Sequence, residues 1–262
     1  MKIGFVGGGA LAESVIKGII GNIVQAEDIF VSERYEDRRE YLNQKYKINT
    51  ANGVDYFIAG IDLLIIAVKP KDASAALTEI SSKVGTNTVV VSVVAGLKLA
   101  KVEEHFKNHS VIRVMPNVAI AVGEGMNVFT VGKNVKPSEV EMIQKFFASL
   151  GRCIEVEESL MDAVTGLSGS GPAYAFLMID ALSDGGVAAG LPRAKAIELA
   201  AQTLLGAAKM VLELGEHPDV LRDRVTSPAG TTIEGVRVLE RCSVRSALIE
   251  AVLAATEKSK VL

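Results

Sequence analysis

Three small residues near the start of the chain, Gly7, Gly9 and Ala12, stand at the spacing of a dinucleotide-binding turn, G-x-G-x-x-A. Each position has a physical task. Gly7 lets the chain turn sharply, Gly9 lets backbone approach a pyrophosphate, and Ala12 lets a helix pack closely on a strand. Gly8, Ala10 and Leu11 complete the turn, whose N–H groups at a helix N-terminus would take the anion. A glycine-rich loop without a ligand is the plainer alternative. Its place directly after the apolar run Ile3, Phe5, Val6 and before the helical spacing of Leu11, Val15, Ile16, Ile19 and Ile20 favours the nucleotide.

A second cluster, Ser32-Glu33-Arg34, falls at the end of the run Ile29-Phe30-Val31. An acidic residue there holds the ribose 2′-hydroxyl of NAD, whereas arginine accommodates the 2′-phosphate of NADP. Ser32 and Arg34, with Arg38 and Arg39 a helical turn beyond, favour NADPH; Glu33 keeps NADH open. The same residues would also make an ordinary charged helix start, with Ser32 as N-cap.

Two later stretches combine hydroxyls with small residues. Ser168-Gly169-Ser170-Gly171-Pro172-Ala173-Tyr174 interrupts a helical pattern, as a site would, or as a kink packed close to a neighbour would. In Val225-Thr226-Ser227-Pro228-Ala229-Gly230-Thr231-Thr232-Ile233-Glu234-Gly235, Ser227 reads as an N-cap with Pro228 at the first helical position. Gly230, Thr231 and Thr232 are poor interior helix formers. A first turn without bulk leaves its N–H groups open to a carboxylate, with two hydroxyls beside it. A capped surface helix is the alternative, but three weak formers in one turn cost stability. His105, His109 and His217 sit on no expected sheet end, and neither a serine–histidine–aspartate set nor a metal spacing stands out, so no metal is expected. The chemistry that remains is hydride transfer by a bound cofactor, with the protein binding and orienting.

These groups need a scaffold. Ile61–Val68, Val89–Val94 and Val111–Val114 are apolar runs of the kind that form buried parallel strands, ending at Lys69-Pro70, Ala95-Gly96 and Met115-Pro116-Asn117. Ligands of open parallel sheets bind beyond such carboxyl ends. Glu36–Tyr46 reads as a polar helix and Ile48–Thr50 as a short edge strand. Further strand and helix signals occupy Gly125–Val131, Pro137–Leu150 and Cys153–Val156. Strands then disappear, and Leu160–Leu167, Ala173–Leu191, Ala194–Leu214 and Val244–Ser259 read as helices, several of them apolar nearly all round. The boundary lies near Val156. A helical half with that much apolar surface calls for a second copy to cover it.

Length and composition fit this plan. The chain has 262 residues, 49% of them hydrophobic, enough for two domains. A net charge of −3 gives no electrostatic footprint for nucleic acid, and no apolar run is long enough to span a membrane. The N-terminus is taken up by a strand rather than a signal peptide, and Cys153 and Cys242 have no redox or ligand spacing, so a reduced, cytoplasmic setting is expected.

Taken together, the chain resembles the pyrroline-5-carboxylate reductase family, NAD(P)H enzymes of the last step of proline synthesis. The likeness is carried by Ile3–Ala12, Ala67-Val68-Lys69-Pro70, Ser92–Gly96, Arg113–Asn117, Ser168–Tyr174 and Val225–Gly235. Residues 227–232, Ser-Pro-Ala-Gly-Thr-Thr, are the most specific of these and the glycine turn the least. The resemblance implies an α/β Rossmann-type doubly wound sheet over 1–156, followed by an all-α dimerisation and substrate domain over 157–262. It implies a homodimer, able to assemble into a larger ring. It also implies NADPH, with NADH open, across Gly7, Gly8, Gly9, Ala10 and Leu11, and around it Ser32, Arg34, Asn52, Ala67, Val68, Lys69, Pro70, Ala95 and Gly96. The substrate, a cyclic imino acid, would lie at Val225, Ser227, Gly230, Thr231 and Thr232, partly supplied across the dimer. Thr232, or Thr231 beside it, would be the catalytic hydroxyl. Relatives commonly carry proline where Ala119 stands and glycine where Ala229 stands; the second difference is expected to leave binding undisturbed.

A protonated cyclic imine is already electrophilic at carbon, so the lack of a well-placed histidine is tolerable and a hydroxyl suffices to hold the nitrogen. Two other functions fit the plan less well. A 3-hydroxyacid dehydrogenase would resemble its relatives in placing a lysine on a helix of the second domain, and Ser159–Pro192 contains none. A non-catalytic NADP-binding sensor would bind the cofactor without turnover.

Overall fold

The computed structural model of the chain describes residues 1–261. Eight strands form one sheet: β1 Ile3–Val6, β2 Ile29–Ser32, β3 Asn49–Ala51, β4 Leu63–Ile66, β5 Val89–Ser92, β6 Val111–Met115, β7 Gly125–Val131 and β8 Gly151–Glu155. Their spatial order is β3-β2-β1-β4-β5-β6-β7-β8. The first six are parallel, β7 runs antiparallel to β6, and β8 is parallel to β7. All residues of β1, β4 and β5 are buried, as expected of strands covered on both faces.

Five helices cover the sheet: α1 Ala10–Ile19, α2 Glu36–Tyr46, α3 Ala73–Ile80, α4 Leu99–His105 and α5 Pro137–Ala148. One core layer joins Ile3, Phe5 and Ile65 to Val15 and Ile16 of α1 and to Ile143 and Phe147 of α5. The other joins Leu64, Ile66 and Val90 to Leu77 of α3 and Val102 of α4. Alternate residues of each strand feed opposite layers, which fixes the register. From β1 the strands wind outward in both directions, so the topological switch point lies beside its carboxyl end, at Gly7.

After β8 come α6 Met161–Val164, a π-helical turn Thr165–Gly169, and α7 Gly171–Ala188, α8 Arg193–Leu214, α9 Pro218–Arg224, α10 Thr231–Arg241 and α11 Val244–Ser259. Met1–Ser170 and the tail from Ala254 form one compact unit; Gly171–Leu253 form another. The tail is tied to its unit by the Ser259 hydroxyl, which is buried and donates to Asp162 Oδ1 at 2.7 Å. In the helical unit, the buried apolar side chains among the described residues are Ala196, Ala200 and Leu221, while Phe176 (62%), Leu177 (70%) and Leu205 (51%) stand exposed. One copy therefore has little core of its own there. No helix among the described residues is long and apolar enough to cross a membrane.

Candidate active site

The expected cofactor residues all fall at the carboxyl ends of β1 to β5, and backbone hydrogen bonds stitch those ends together. Gly7 N–H donates to Ser32 C=O at 2.9 Å, Ala67 N–H to Val6 C=O at 2.8 Å, Val93 N–H to Ile66 C=O at 3.0 Å and Glu33 N–H to Ala51 C=O at 3.0 Å. Ala51 is followed by Asn52, which is exposed on the same rim. Ala95 and Gly96 follow the buried Val93 and Val94.

The three glycines of the turn are glycine for three different reasons. Gly7 has φ +98°, and a Cβ there would lie 2.7 Å from Ala67 C=O. A Cβ on Gly8 would meet Leu42 at 2.8 Å and Val31 at 3.2 Å, so packing excludes it. Gly9 is different. Its φ of −67° and ψ of −175° suit any residue, and a Cβ would meet nothing within 4 Å. The fold does not need glycine there; open space beside the N-cap of α1, which no side chain caps, is what a pyrophosphate would fill. The residues present therefore fit a dinucleotide.

Arg34 is exposed on 59% of its side chain, lies over the Tyr35 ring and reaches Asp72 at 3.7 Å, which brings it beside the Lys69-Pro70 loop. Glu33 is turned the other way: Oε2 accepts from Gly8 N–H at 2.9 Å and Oε1 from Tyr35 N–H at 3.0 Å. Arg39 donates to the carbonyls of Glu33 and Arg34 at 2.9 and 2.8 Å. Arg38 donates to Gly8 C=O, Gly9 C=O and Glu13. Glu13, on α1, also accepts from Tyr41, Lys45 and Tyr46 of α2. Burial alone would raise the Glu13 carboxyl, but these donors outweigh it and bring its pKa down to about 2.

Two residues shape the neighbouring loops: Glu158, which local patterns missed, and Asn117, at the expected end of β6. Glu158 Oε1 accepts from the buried Arg113 at 2.7 Å and from Leu99 N–H at 2.9 Å, so it caps α4 just beyond the Ala95-Gly96 loop. An arginine inside the apolar run of β6 was the available signal, because a buried guanidinium needs a partner. Asn117 is a hub. It donates to Ser168 C=O at 3.0 Å and accepts from Ala119 N–H at 3.2 Å and Met126 N–H at 3.3 Å. A proline at position 119 would lack the N–H that makes one of these bonds. The hydroxyl-rich stretch beginning at Ser168 overlaps a π-helical turn, which Ser170 N–H closes on Thr165 C=O at 2.9 Å. A Cβ on Gly169 would meet Met115 at 2.6 Å, so the small residue permits that approach.

The expected substrate residues lie together in the helical unit, between α9 and α10, with one correction. Ser227 is not an N-cap and Pro228 is not the first helical residue. Gly230 N–H donates to Ser227 C=O at 3.0 Å and closes a four-residue turn, and Ala229 inside it has φ +54°. That left-handed residue prevents helical continuation, and α10 begins at Thr231 with Gly230 as N-cap. Space at 230 is tight: a Cβ would make the Ser227 hydroxyl turn away and would lie 3.1 Å from the Ser227 carbonyl oxygen. Thr231 and Thr232 are then the first two helical residues, and no side chain caps their helix. Val225 ends α9 and is 62% exposed. Among the described residues no cluster of three or more histidine, cysteine, aspartate or glutamate side chains could hold a metal.

Comparison with known proteins covers both units. The sequence model for pyrroline-5-carboxylate reductase dimerisation matches residues 158–262, and that for NADP oxidoreductase, coenzyme F420-dependent, matches residues 2–96. Pyrroline-5-carboxylate reductase of Synechocystis is 44% identical, covering 100% of this chain and 98% of that one. The Arabidopsis thaliana protein of the same name is 43% identical, covering 100% and 95%. Among solved structures, Plasmodium falciparum pyrroline carboxylate reductase with NADP bound superposes with a TM-score of 0.91 at 32% identity, covering 100% of this chain and 97% of that one.

Proposed function

The chain belongs to the pyrroline-5-carboxylate reductase family, and from that premise we propose that it reduces 1-pyrroline-5-carboxylate to L-proline with a nicotinamide cofactor. The observation that carries this is similarity along the whole of both chains, which takes in the glycine turn and the Val225–Gly235 segment together. The cofactor, when bound, supplies a hydride. Gly7 to Leu11 hold its pyrophosphate, with Ser32, Arg34, Asn52, Ala67, Val68, Lys69, Pro70, Ala95 and Gly96 around the rest.

The protein's own share is binding and orientation. The expected Gly230 N–H is already committed to Ser227 C=O, so the N–H groups of Thr231 and Thr232, the first two residues of α10, take the substrate carboxylate, favoured by the positive end of the α10 dipole. That anchor fixes the five-membered ring, so the Thr232 hydroxyl on the same turn reaches the imine nitrogen. Addition of hydride to carbon makes the nitrogen more basic, so a hydroxyl that donates to it, and passes on a proton replaced from water, would stabilise the transition state more than the ground state. Thr232→Ala is expected to lower kcat roughly ten- to a thousandfold and leave cofactor affinity unchanged, with Thr232→Ser keeping much of the activity. If both Thr231→Ala and Thr232→Ala fold and turn over pyrroline-5-carboxylate at the wild-type rate, this turn has no part in the chemistry.

NADPH is the preferred donor in this proposal. Arg34 is the exposed cation at the end of β2, while both oxygens of Glu33 are engaged by N–H donors. Arg34→Ala should raise the KM for NADPH far more than that for NADH. Equal KM changes would remove Arg34 from cofactor choice. The helical domain assembles as a homodimer that covers its exposed leucines and phenylalanine.

A further inference from the structure

We propose that Arg38 and Glu33 are positioning residues that hold the Gly8 peptides in the shape the pyrophosphate requires, and that neither of them chooses between NADPH and NADH. This role rests on the cofactor lying across the glycine turn. Gly8 is gripped from both sides: its N–H donates to Glu33 Oε2 at 2.9 Å, and its C=O accepts from Arg38 Nε at 2.6 Å. Arg38 is itself fixed. One nitrogen reaches Glu13 Oε2 at 2.6 Å and Gly9 C=O at 3.3 Å.

The planar trans peptide turns this grip into an orientation. The C=O and N–H of one peptide point in opposite directions. Holding the Gly8 carbonyl on the Arg38 side therefore directs the Gly9 N–H away from Arg38. The Gly9 carbonyl, held by the same guanidinium and by Glu13 N–H at 2.9 Å, does the same for the Ala10 N–H. Donors oriented before the ligand arrives need no reorganisation on binding.

The charges near β2 thus divide between two tasks. Arg38 commits Nε and one terminal nitrogen to two carbonyls and a carboxylate, and Glu33 has both oxygens occupied by N–H donors, so both side chains are turned toward the glycine turn. Arg39 is likewise held by carbonyls. Arg34, exposed and only loosely paired, is left for the 2′-phosphate. The pyrophosphate is common to both cofactors, so the clamp acts on both equally.

The test compares Arg38→Gln and Arg38→Lys with the wild type by titration with NADPH, NADH and adenosine 2′-monophosphate, which lacks a pyrophosphate. Tyr41, Lys45 and Tyr46 still bind Glu13 in these variants, so α1 and α2 stay joined. Arg38→Gln should raise the Kd of NADPH and NADH by the same factor, roughly tenfold for the loss of charge-assisted bonds. The lysine variant should recover part of this, and the affinity for adenosine 2′-monophosphate should hold. A loss confined to NADPH would overturn the proposal by making Arg38 a 2′-phosphate ligand. Loss of the monophosphate as well would make it a general structural support. Gly9→Val separates the underlying premise, because a Cβ at this position meets nothing within 4 Å. If Gly9→Val abolishes cofactor binding while Arg38→Gln binds normally, the turn is the site and the clamp is idle. If Gly9→Val also binds normally, the cofactor does not lie on this turn and the proposal fails with its premise.

Discussion

Ala229 offers a quantitative check on the turn that precedes α10. Its φ of +54° puts a Cβ-bearing residue in the left-handed region, at a strain cost of roughly 1–2 kcal/mol relative to glycine. Replacing it with glycine removes that strain but adds backbone entropy to the unfolded chain, about 0.5–1 kcal/mol in the opposite direction. The difference predicts that Ala229→Gly stabilises the protein by about 0.5–1 kcal/mol, a rise in Tm on the order of 1–4 °C for a chain of this size. Gly230→Ala should do the reverse, because alanine is a poorer N-cap than glycine and a Cβ there would lie 3.1 Å from the Ser227 carbonyl oxygen. Thermal unfolding of the three proteins followed by circular dichroism, at one protein concentration, measures both shifts. A lower Tm for Ala229→Gly, or a higher one for Gly230→Ala, would show that the Ser227–Gly230 turn does not have this shape.

Three further outcomes follow from other parts of the molecule. The Glu13 carboxyl titrates at about 2 instead of 4.5, so its stabilisation is complete above pH 4.5 and is lost as pH falls toward 2; the Tm gap between wild type and Glu13→Gln should close across that window, and a pH-independent gap would contradict it. Asn117→Leu strands Ser168 C=O and the N–H groups of Ala119 and Met126, which should cost roughly 1–3 kcal/mol per buried group left unpaired, measured by urea unfolding; unchanged stability would remove Asn117 as a hub. The exposed apolar face of the helical unit predicts a Tm that rises with protein concentration, and light scattering that finds a stable, active monomer on dilution would rule out an obligate dimer.

Much of the fold could be read from local pattern. The apolar runs became β1, β4, β5 and β6 because buried parallel strands need no polar face, and Glu36–Tyr46 and Val244–Ser259 are helices at those bounds. The turn at Gly7–Ala12 was legible because strand, glycine and helix are adjacent in sequence. What escaped was set by partners far along the chain. Glu158 caps α4 across 59 residues, and Glu33 reaches Gly8 across 25. The Ser227-Pro228 helix start was misread because those residues have good capping propensity, and a left-handed Ala229 leaves no mark in sequence.

The tail from Ala254 belongs with the sheet unit although the helical unit separates them in sequence, and Ser259 is its tie to Asp162. During synthesis, Asp162 therefore emerges well before its partner. At ordinary rates of about 5–20 residues per second, the stretch between them takes roughly 5–20 seconds to make. For that interval the nascent nucleotide-binding half waits with one seam unclosed, and its final closure is timed by the completion of the helices that come between.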